Sequence, residues 1–436
     1  MIHKFKEFVT RQVTQIRQDG IGILYKKANK KAKLIATQLF FTQASIPFVL
    51  LIRLLQPVIK VRFIWFDAGR IGHLEAANVY LAGKINGELP SNILDIVYFT
   101  VTTGQVANEQ YLKMWRRVLH TPPLIFSRLF ESIDKINQSL PGEKIIYSGR
   151  VPFMSDYNKA VNNEITEHII RHTNSPIFFT TGEHVLGKKL LFELGVPEKK
   201  KFICFHARDS TYTESLKIDR DWSYHDFRDS NIRNYLPAVE EMAKRDYYAI
   251  RIGSHVKESL EVENSQIIDY ASNGTHSDFL DIYLLANCRF LIISDTGLSG
   301  PAEVFRTPIV YVNDFLFALL YRLSVQNCIF IFKKYYLIQE KRFLTYAEIA
   351  KTDLLYCGSG FEFKKRGIEV VENTQEEILA ATLEMEERLL GTWVTKKEDE
   401  ELQKQFWSLF PKDMLKSPGC RIGAQFLRDN REMLNS

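Results

Sequence analysis

Short apolar runs alternate with amphipathic stretches along most of this chain, a pattern that predicts strands alternating with helices. Val61-Arg62-Phe63-Ile64-Trp65-Phe66 has the β-branched and aromatic content of a strand. It runs into the polar turn Asp67–His73, and a helical pattern begins at Leu74. Further strand-like runs are Ile93–Phe99, Lys144–Tyr147 and Ile177–Thr180, separated by helical patterns at Asn108–Leu119 and Asn158–His172. A second series follows. Strands are expected at Phe202–Phe205, Tyr247–Ile252, Gln266–Ala271, Phe290–Ser294 and Ile309–Val312. Helices are expected at Ile232–Arg245, at Ser277–Cys288 and from Gly300. Strand–helix alternation favours a parallel sheet covered on both faces, because each crossover lays a helix against the sheet. The fold class expected is therefore α/β, with two Rossmann-like βαβ halves, one at 61–190 and one at 191–370. A hinge is expected near Glu183–Lys200. Thr374 with Glu377 makes a capping box before Ile378–Leu390, and Gly391 closes that helix. Residues 371–436 are read as C-terminal helices packing back across the domains.

The first 60 residues break the alternation. Residues 1–33 carry nine Lys or Arg against Glu7 and Asp19, a net +7 in a chain whose total is +5. An apolar stretch follows from Leu34 to Leu55, interrupted by Gln38, Gln43, Pro47 and Arg53. A span needs ~20 continuous apolar residues, so a basic amphipathic segment lying on a membrane surface is the expectation. The alternative is a helix packed on the protein's own core. Outside this segment no stripe of basic and aromatic residues suggests nucleic-acid binding.

With 436 residues, 45% hydrophobic and 25% charged, the chain has the composition of a multidomain globular protein. Its five cysteines are scattered and Cys204 and Cys288 lie in apolar runs. Buried reduced thiols in a cytoplasmic compartment are expected.

Candidate chemistry concentrates where apolar strands stop. Phe205-His206-Ala207-Arg208-Asp209 takes a strand straight into charge, and in open α/β sheets ligands bind at the carboxyl ends of strands. There Arg208 can clamp phosphate oxygens or pair with Asp209 or another loop carboxylate. Arg251, just before Gly253, needs a buried partner, either ligand phosphate or an internal acid. The loop Thr296-Gly297-Leu298-Ser299-Gly300 leads into a helix from Pro301, a geometry suited to an anion or to an ordinary turn. Glu303 can meet ribose hydroxyls or offset the helix dipole. Gly69-Arg70-Ile71-Gly72-His73 places His73 at the top of the first sheet, as a general base or as a helix cap. The polar stretch Asp209–Ser230 holds six acids, including Asp209, and reads as a lid or as a solvated loop. Asp219-Arg220-Asp221 carries little weight as a metal motif, and His168 with His172 lacks the glutamate of a zinc helix. No metal site and no cofactor is expected.

The series GRIGH, FHARD, IRIGS and SDTGLSGPAE resembles a group of bacterial glycosyltransferases of the two-Rossmann architecture called GT-B, often encoded with surface-polysaccharide genes. The resemblance runs from Val61 to the C-terminus and includes Phe332–Lys334 and Phe426–Asn430. The H-x-R-D segment is also similar to the phosphate-binding motif of GDP-fucose-dependent fucosyltransferases, from which Ser210-Thr211-Tyr212 depart. The resemblance implies two halves facing a cleft, with a nucleotide-diphosphate sugar as donor substrate in the C-terminal half. Its donor contacts would be His206, Arg208, Arg251, Gly253, Thr296, Gly297, Ser299, Gly300 and Glu303. A saccharide or lipid-linked acceptor would lie near Gly69, Arg70 and Gly72, with His73 or Asp209 as base. Metal-independent transfer follows from the same resemblance, and the basic and apolar segment at residues 1–60 adds the expectation of a place at the inner face of the cell membrane. A nucleotide-sugar 2-epimerase and a non-catalytic membrane-peripheral scaffold are the competing readings.

Overall fold

The computed structural model describes residues 22–87, 92–141, 148–150, 172–211, 223–316, 327–410 and 420–435. The expected strand Lys144–Tyr147, the helical pattern at 158–171 with His168, the Asp219–Asp221 triplet and the basic residues before Gly22 lie outside them.

The described helices are α1 (Gly22–Leu55), α2 (Ala76–Ile85), α3 (Glu109–Leu119), α4 (Ser127–Ser139), α5 (Thr181–Glu193), α6 (Leu236–Lys244) and α7 (Asp278–Asn287). They continue with α8 (Ser299–Val304), α9 (Tyr346–Ala350), α10 (Gly360–Lys365), α11 (Gln375–Leu390), α12 (Lys397–Ser408) and α13 (Ala424–Asp429). The strands are β1 (Lys60–Asp67), β2 (Ile93–Thr100), β3 (Ser148–Arg150), β4 (Lys201–His206), β5 (Tyr247–Arg251), β6 (Ile267–Asp269) and β7 (Leu291–Ile293). Then come β8 (Ile309–Asp314), β9 (Cys328–Phe332), β10 (Lys334–Leu337), β11 (Arg342–Phe343), β12 (Ile368–Val371) and β13 (Cys420–Ile422).

These elements form two compact units that interleave along the chain. One contains the described parts of Met1–Trp65, Ser91–Thr100 and Thr121–Gly149. The other contains those of Phe66–Pro90, Val101–His120 and Arg150–Ser436. The first unit has a three-stranded sheet in the order β2-β1-β3. Its core joins Val61, Phe63 and Tyr98 of the sheet to Val49 of α1 and Ile133 of α4. Arg62 is buried and its Nε donates to Asp95 Oδ1 at 2.6 Å, so the charge that interrupts the strand pattern is paired rather than solvated.

The second unit holds a seven-stranded sheet in the order β13-β9-β8-β7-β4-β5-β6, and every described pairing in it is parallel. Read from β6, this is the doubly wound order 3-2-1-4-5-6 with β13 added beside β9. Strands β7, β8 and β9 are buried at every residue, which explains why they read as continuous apolar runs without alternation. Helices α6 and α11 cover the sheet, α6 against β5 and α11 against β8 and β9. A small antiparallel sheet, β11-β10-β12, stands apart from it.

The α/β expectation holds, with corrections. Ile177–Thr180 is not a strand; it is extended chain leading into the Thr180–Glu183 capping box of α5. The segment Glu183–Lys200 begins within this helix, which ends at Glu193 and is anchored because Glu183 accepts hydrogen bonds from Gln110 Nε2, Lys113 Nζ and the Arg117 guanidinium on α3. Cys328 and Cys420 are in register on neighbouring strands with Cα atoms 4.8 Å apart, and they are joined in a disulfide, against the expectation of five reduced thiols. Cys204, Cys288 and Cys357 are free and buried.

Gly187 gives a direct check of the packing of α5. A Cβ there would fall inside the ring of Tyr283, itself held against Phe179 and Phe279. Gly187→Ala should therefore destabilise the protein by about 1–3 kcal/mol through overpacking. Gly182→Ala in the same helix meets nothing within 4 Å, and should be neutral or stabilising by up to ~1 kcal/mol through helix propensity. Urea unfolding of the two variants measures the contrast.

Candidate functional site

Strand order locates a crevice before any side chain is considered. From β4 the chain builds outward to β5 and β6; from β7 it builds the other way to β8 and β9. Neighbouring strands β4 and β7 thus lead into loops that diverge, and such a switch point leaves a gap at their carboxyl ends. The segments that border it are His206–Asp209 and Ser294–Gly300.

The charged side chains here are buried or half-buried, and paired with one another. Arg208 Nη1 donates to Asp229 Oδ1 and to the His225 carbonyl, while the Arg208 amide donates to Ser294 Oγ at 2.8 Å across the switch point. Arg228 Nε lies 2.7 Å from Asp295 Oδ2 and its Nη2 donates to the Asp295 carbonyl. Lys333, directly after β9 and 5% exposed, donates from Nζ to the carbonyls of Phe227 and Asp229. Arg208 and Lys333 thus reach the loop 225–229 from two other segments, and Arg228 of that loop reaches Asp295. Burial pulls the Lys333 ammonium down to about 8, with nearby carboxylates opposing the shift. It pushes the Asp229 carboxyl up to about 6, with Arg208 working against the shift and Asp226 adding to it. Burial also lowers Arg208, helped by Arg228.

His206 closes β4. It is buried, and its Nδ1 donates to the Ile252 carbonyl at 2.8 Å, which fixes the tautomer with the proton on Nδ1. Burial lowers it to about 4, although the Ile252 carbonyl raises it. Gly253 is required beside it. Its φ is +141°, and a Cβ would meet the imidazole at 3.2 Å. Gly253 therefore seats His206 rather than a ligand.

The turn after β1 belongs to the same compact unit as β4 and β7. Asp67, 6% exposed, anchors it: Oδ1 accepts from the amides of Gly69 at 2.9 Å and Thr102 at 3.1 Å, and Oδ2 accepts from Thr102 Oγ1. His73 Nδ1 stands 3.7 Å from Asp67 Oδ2, too far for a hydrogen bond but within Coulombic reach. Burial lowers the imidazole to about 4, Arg70 lowers it further and Asp67 opposes both. His73 is therefore neutral at pH 7.

Several residues do not occupy the positions expected of them. Arg251 takes the internal alternative: its Nη1 donates to the Glu258 carbonyl at 2.8 Å and pairs with Asp269, and it is 2% exposed. Arg208 likewise has a loop carboxylate, Asp229 rather than Asp209. Asp209 is a loop clamp, its two oxygens accepting from the amides of Thr211 and Lys257. Glu303 is buried with its carboxylate accepting from the Tyr311 hydroxyl, facing the sheet instead of a ribose. The glycine loop is not an open phosphate cradle either. A Cβ on Gly72 would meet Gly297 Cα at 2.9 Å, and one on Gly300 would meet Gly72 Cα at 3.0 Å. The backbone of Gly72 fills the space that these glycines leave. The amides of Ser299 and Gly300 are also taken by the carbonyls of Thr296 and Gly297.

Sequence reasoning gave no role to Asp67 or Arg228, named Lys333 only within the run Phe332–Lys334, and carried Asp229 and Asp295 only as loop acids. A lysine placed immediately after the all-apolar run Cys328–Phe332 was the available signal. Among the described residues no group of three His, Cys, Asp or Glu side chains is arranged to hold a metal ion.

No protein-family model and no curated protein matches the sequence. Among solved structures the chain is similar to a glycosyl transferase family 9 protein from Veillonella parvula. The identity is 12%, with 76% of this chain and 98% of that chain covered, at a TM-score of 0.43. It is also similar to the ADP-heptose lps heptosyltransferase II of E. coli, at 12% identity, covering 58% and 84%, TM-score 0.36. A third is the S. aureus MnaA–UDP structure, at 10%, covering 78% and 99%, TM-score 0.26. Likenesses of this size bear on neither substrate nor mechanism.

The depressed histidines set a pH dependence. Between pH 6.5 and about 4 the unfolded chain protonates His206 and His73 while the native state does not. The part of native stability linked to these two histidines is therefore full above pH 6.5 and falls as the pH drops through this window. Denaturant midpoints measured from pH 7 to pH 4 should fall less steeply in His206→Asn, whose amide can keep the bond to the Ile252 carbonyl. Gly72→Ala should cost about 2–4 kcal/mol, because the colliding atoms are backbone.

Proposed function

We propose that the protein is a glycosyltransferase that holds the diphosphate of a nucleotide sugar at the β4/β7 switch point. The observation that carries this reading is the convergence of Arg208, Arg228 and Lys333 at the carboxyl ends of β4 and β9. Buried Arg208 and Lys333, held by the Asp229 carboxylate and carbonyls of one loop, together with half-buried Arg228 on Asp295, form an anion site with its own internal counter-ions. A diphosphate entering the crevice would replace Asp229 on Arg208. Asp229 is the carboxylate most ready to yield, since its ionised form is already penalised there.

The chemistry then follows. An acceptor hydroxyl attacks the anomeric carbon while the carbon–oxygen bond to the diphosphate breaks and its electron pair leaves with the phosphate. His73, neutral at pH 7, takes the hydroxyl proton, and Asp67 at 3.7 Å favours the imidazolium that forms. The side-chain cations receive the charge of the departing diphosphate. The acceptor is a saccharide or a lipid-linked saccharide in surface-polysaccharide synthesis, and the enzyme works in the cytoplasm, peripherally on the membrane, through residues 1–60.

Isothermal titration with UDP, GDP, CDP and ADP tests the donor site. One of them should bind, and Arg208→Ala should weaken it at least about ten-fold; no binding by any of the four would overturn the assignment. Wild-type affinity should also rise as the pH falls from 7.5 to 5.5, because protonating Asp229 releases Arg208. Asp229→Asn should bind more tightly at pH 7.5 and lose that part of the pH dependence. His73→Ala should reduce transfer by about 10²–10⁴ with nucleotide affinity kept.

A further inference from the structure

Helix α1 packs one side on α4 and leaves large apolar side chains exposed along its length. Its inner face is committed to α4. Ser45 and Val49 are fully buried, and Ser45 Oγ lies 3.3 Å from the Leu129 carbonyl. The Arg53 guanidinium donates to Asn137 Oδ1 at 2.8 Å, to the Asn137 carbonyl at 2.9 Å and to the Pro141 carbonyl at 2.7 Å. Its outer face carries Ile35 (50% exposed), Leu39 (57%), Phe40 (65%), Leu50 (59%), Leu51 (51%) and Leu54 (76%). The stretch Ile35–Leu55 is long and apolar enough to cross a membrane, yet only 11% of it is buried.

Length and composition would thus allow a span, but the inner face argues against one. A spanning helix is surrounded by lipid or by partners that are themselves apolar. The partner here, α4, carries Arg128, Glu131, Asp134 and Lys135. A groove of 390 Å³ between the two helices is lined by Thr37, Gln38, Thr42, Arg128, Glu131 and Lys135 among others. One side of α1 is thus fixed to a helix whose Arg128 and Lys135 are exposed to water, while apolar side chains stand exposed along the rest of its length, which suits a helix lying at the boundary between headgroups and acyl chains.

We propose that α1 is a monotopic, in-plane membrane helix. Its Leu39/Phe40/Leu50/Leu54 face enters the acyl layer, and the α1–α4 groove receives the phosphate of an anionic phospholipid. Arg128 and Lys135 supply the positive charge in the groove, with Glu131 between them leaving a net +1. Lys26, Lys27, Lys30, Lys31 and Lys33, directly before the apolar face in sequence, add attraction to an anionic surface. This deepens the membrane-peripheral reading above. It does not depend on glycosyl transfer, because vesicle binding requires no nucleotide and the two can fail separately.

The test is co-sedimentation of the full chain with phosphatidylcholine vesicles, with and without phosphatidylglycerol. The wild type should prefer the anionic vesicles by at least roughly ten-fold. Phe40→Glu/Leu54→Glu should lose binding to both. Arg128→Ser and Lys135→Ser should each reduce the anionic preference by roughly five-fold, leaving binding to neutral vesicles as it was. Circular dichroism and nucleotide titration on the same variants report whether they are folded. Retained binding by folded Phe40→Glu/Leu54→Glu overturns the proposal, as does a wild type that binds neither vesicle. If gel filtration shows a dimer that this double variant breaks, without vesicle binding, the outer face belongs to a second copy and the proposal fails. Resistance of the membrane-bound wild type to alkaline carbonate extraction would mean that α1 crosses, which also overturns it.

Discussion

The candidate site depends on one backbone contact, that of Gly72 against Gly297 and Gly300. Two main chains approach this closely only where neither carries a Cβ. The contact brings the turn after β1 against the turn after β7, and His73 is the next residue along. It also occupies the place where a glycine loop and helix start would otherwise meet phosphate. On the reading proposed above, recognition of an anion passes from main-chain amides to the side chains of Arg208, Arg228 and Lys333. A motif that in isolation suits a ligand is here used to join two parts of the protein.

That transfer has an energetic consequence. Main-chain amides carry partial charges and need little compensation when a ligand is absent, whereas a buried guanidinium does need it. The loop 225–229 supplies it through the Asp229 carboxylate and through carbonyls that take up both Arg208 and Lys333. The charges bordering the crevice are thus paired among themselves, and the acid on Arg208 is one whose ionised form burial disfavours.

Much of the architecture was legible in the sequence. Where burial is two-sided, as in Phe202–Phe205 or Ile309–Val312, apolar composition marks the strand directly. The Thr374/Glu377 box and Gly391 mark α11, and the structure has that box together with a φ of +74° at Gly391. The failures are tertiary. Nothing local distinguishes Ile177–Thr180 from a strand; it is extended chain that gains no neighbour. Arg208 and Arg251 sit alike at strand ends, and only the fold shows that Arg251 is enclosed by Asp269 while Arg208 lies at the switch point. Asp67 looked like a turn residue because its three donors come from Gly69 and from Thr102, some 35 positions on. Strand β13 was missed because three residues give no periodicity to read.

The position of β13 also bears on how the sheet is made. Strand β9, Cys-Ile-Phe-Ile-Phe, has β8 on one side and β13 on the other, and the paired cysteines of β9 and β13 are 92 residues apart. At ~5–20 residues per second on the ribosome, its second edge would stay unpartnered for about 5–20 s while the intervening chain is made. An uncovered run of five β-prone apolar residues without charge or proline is the kind of edge that recruits other chains. A nascent or C-terminally cleaved molecule would keep that edge open; β13 replaces a five-residue apolar edge with one of three residues that carries Arg421.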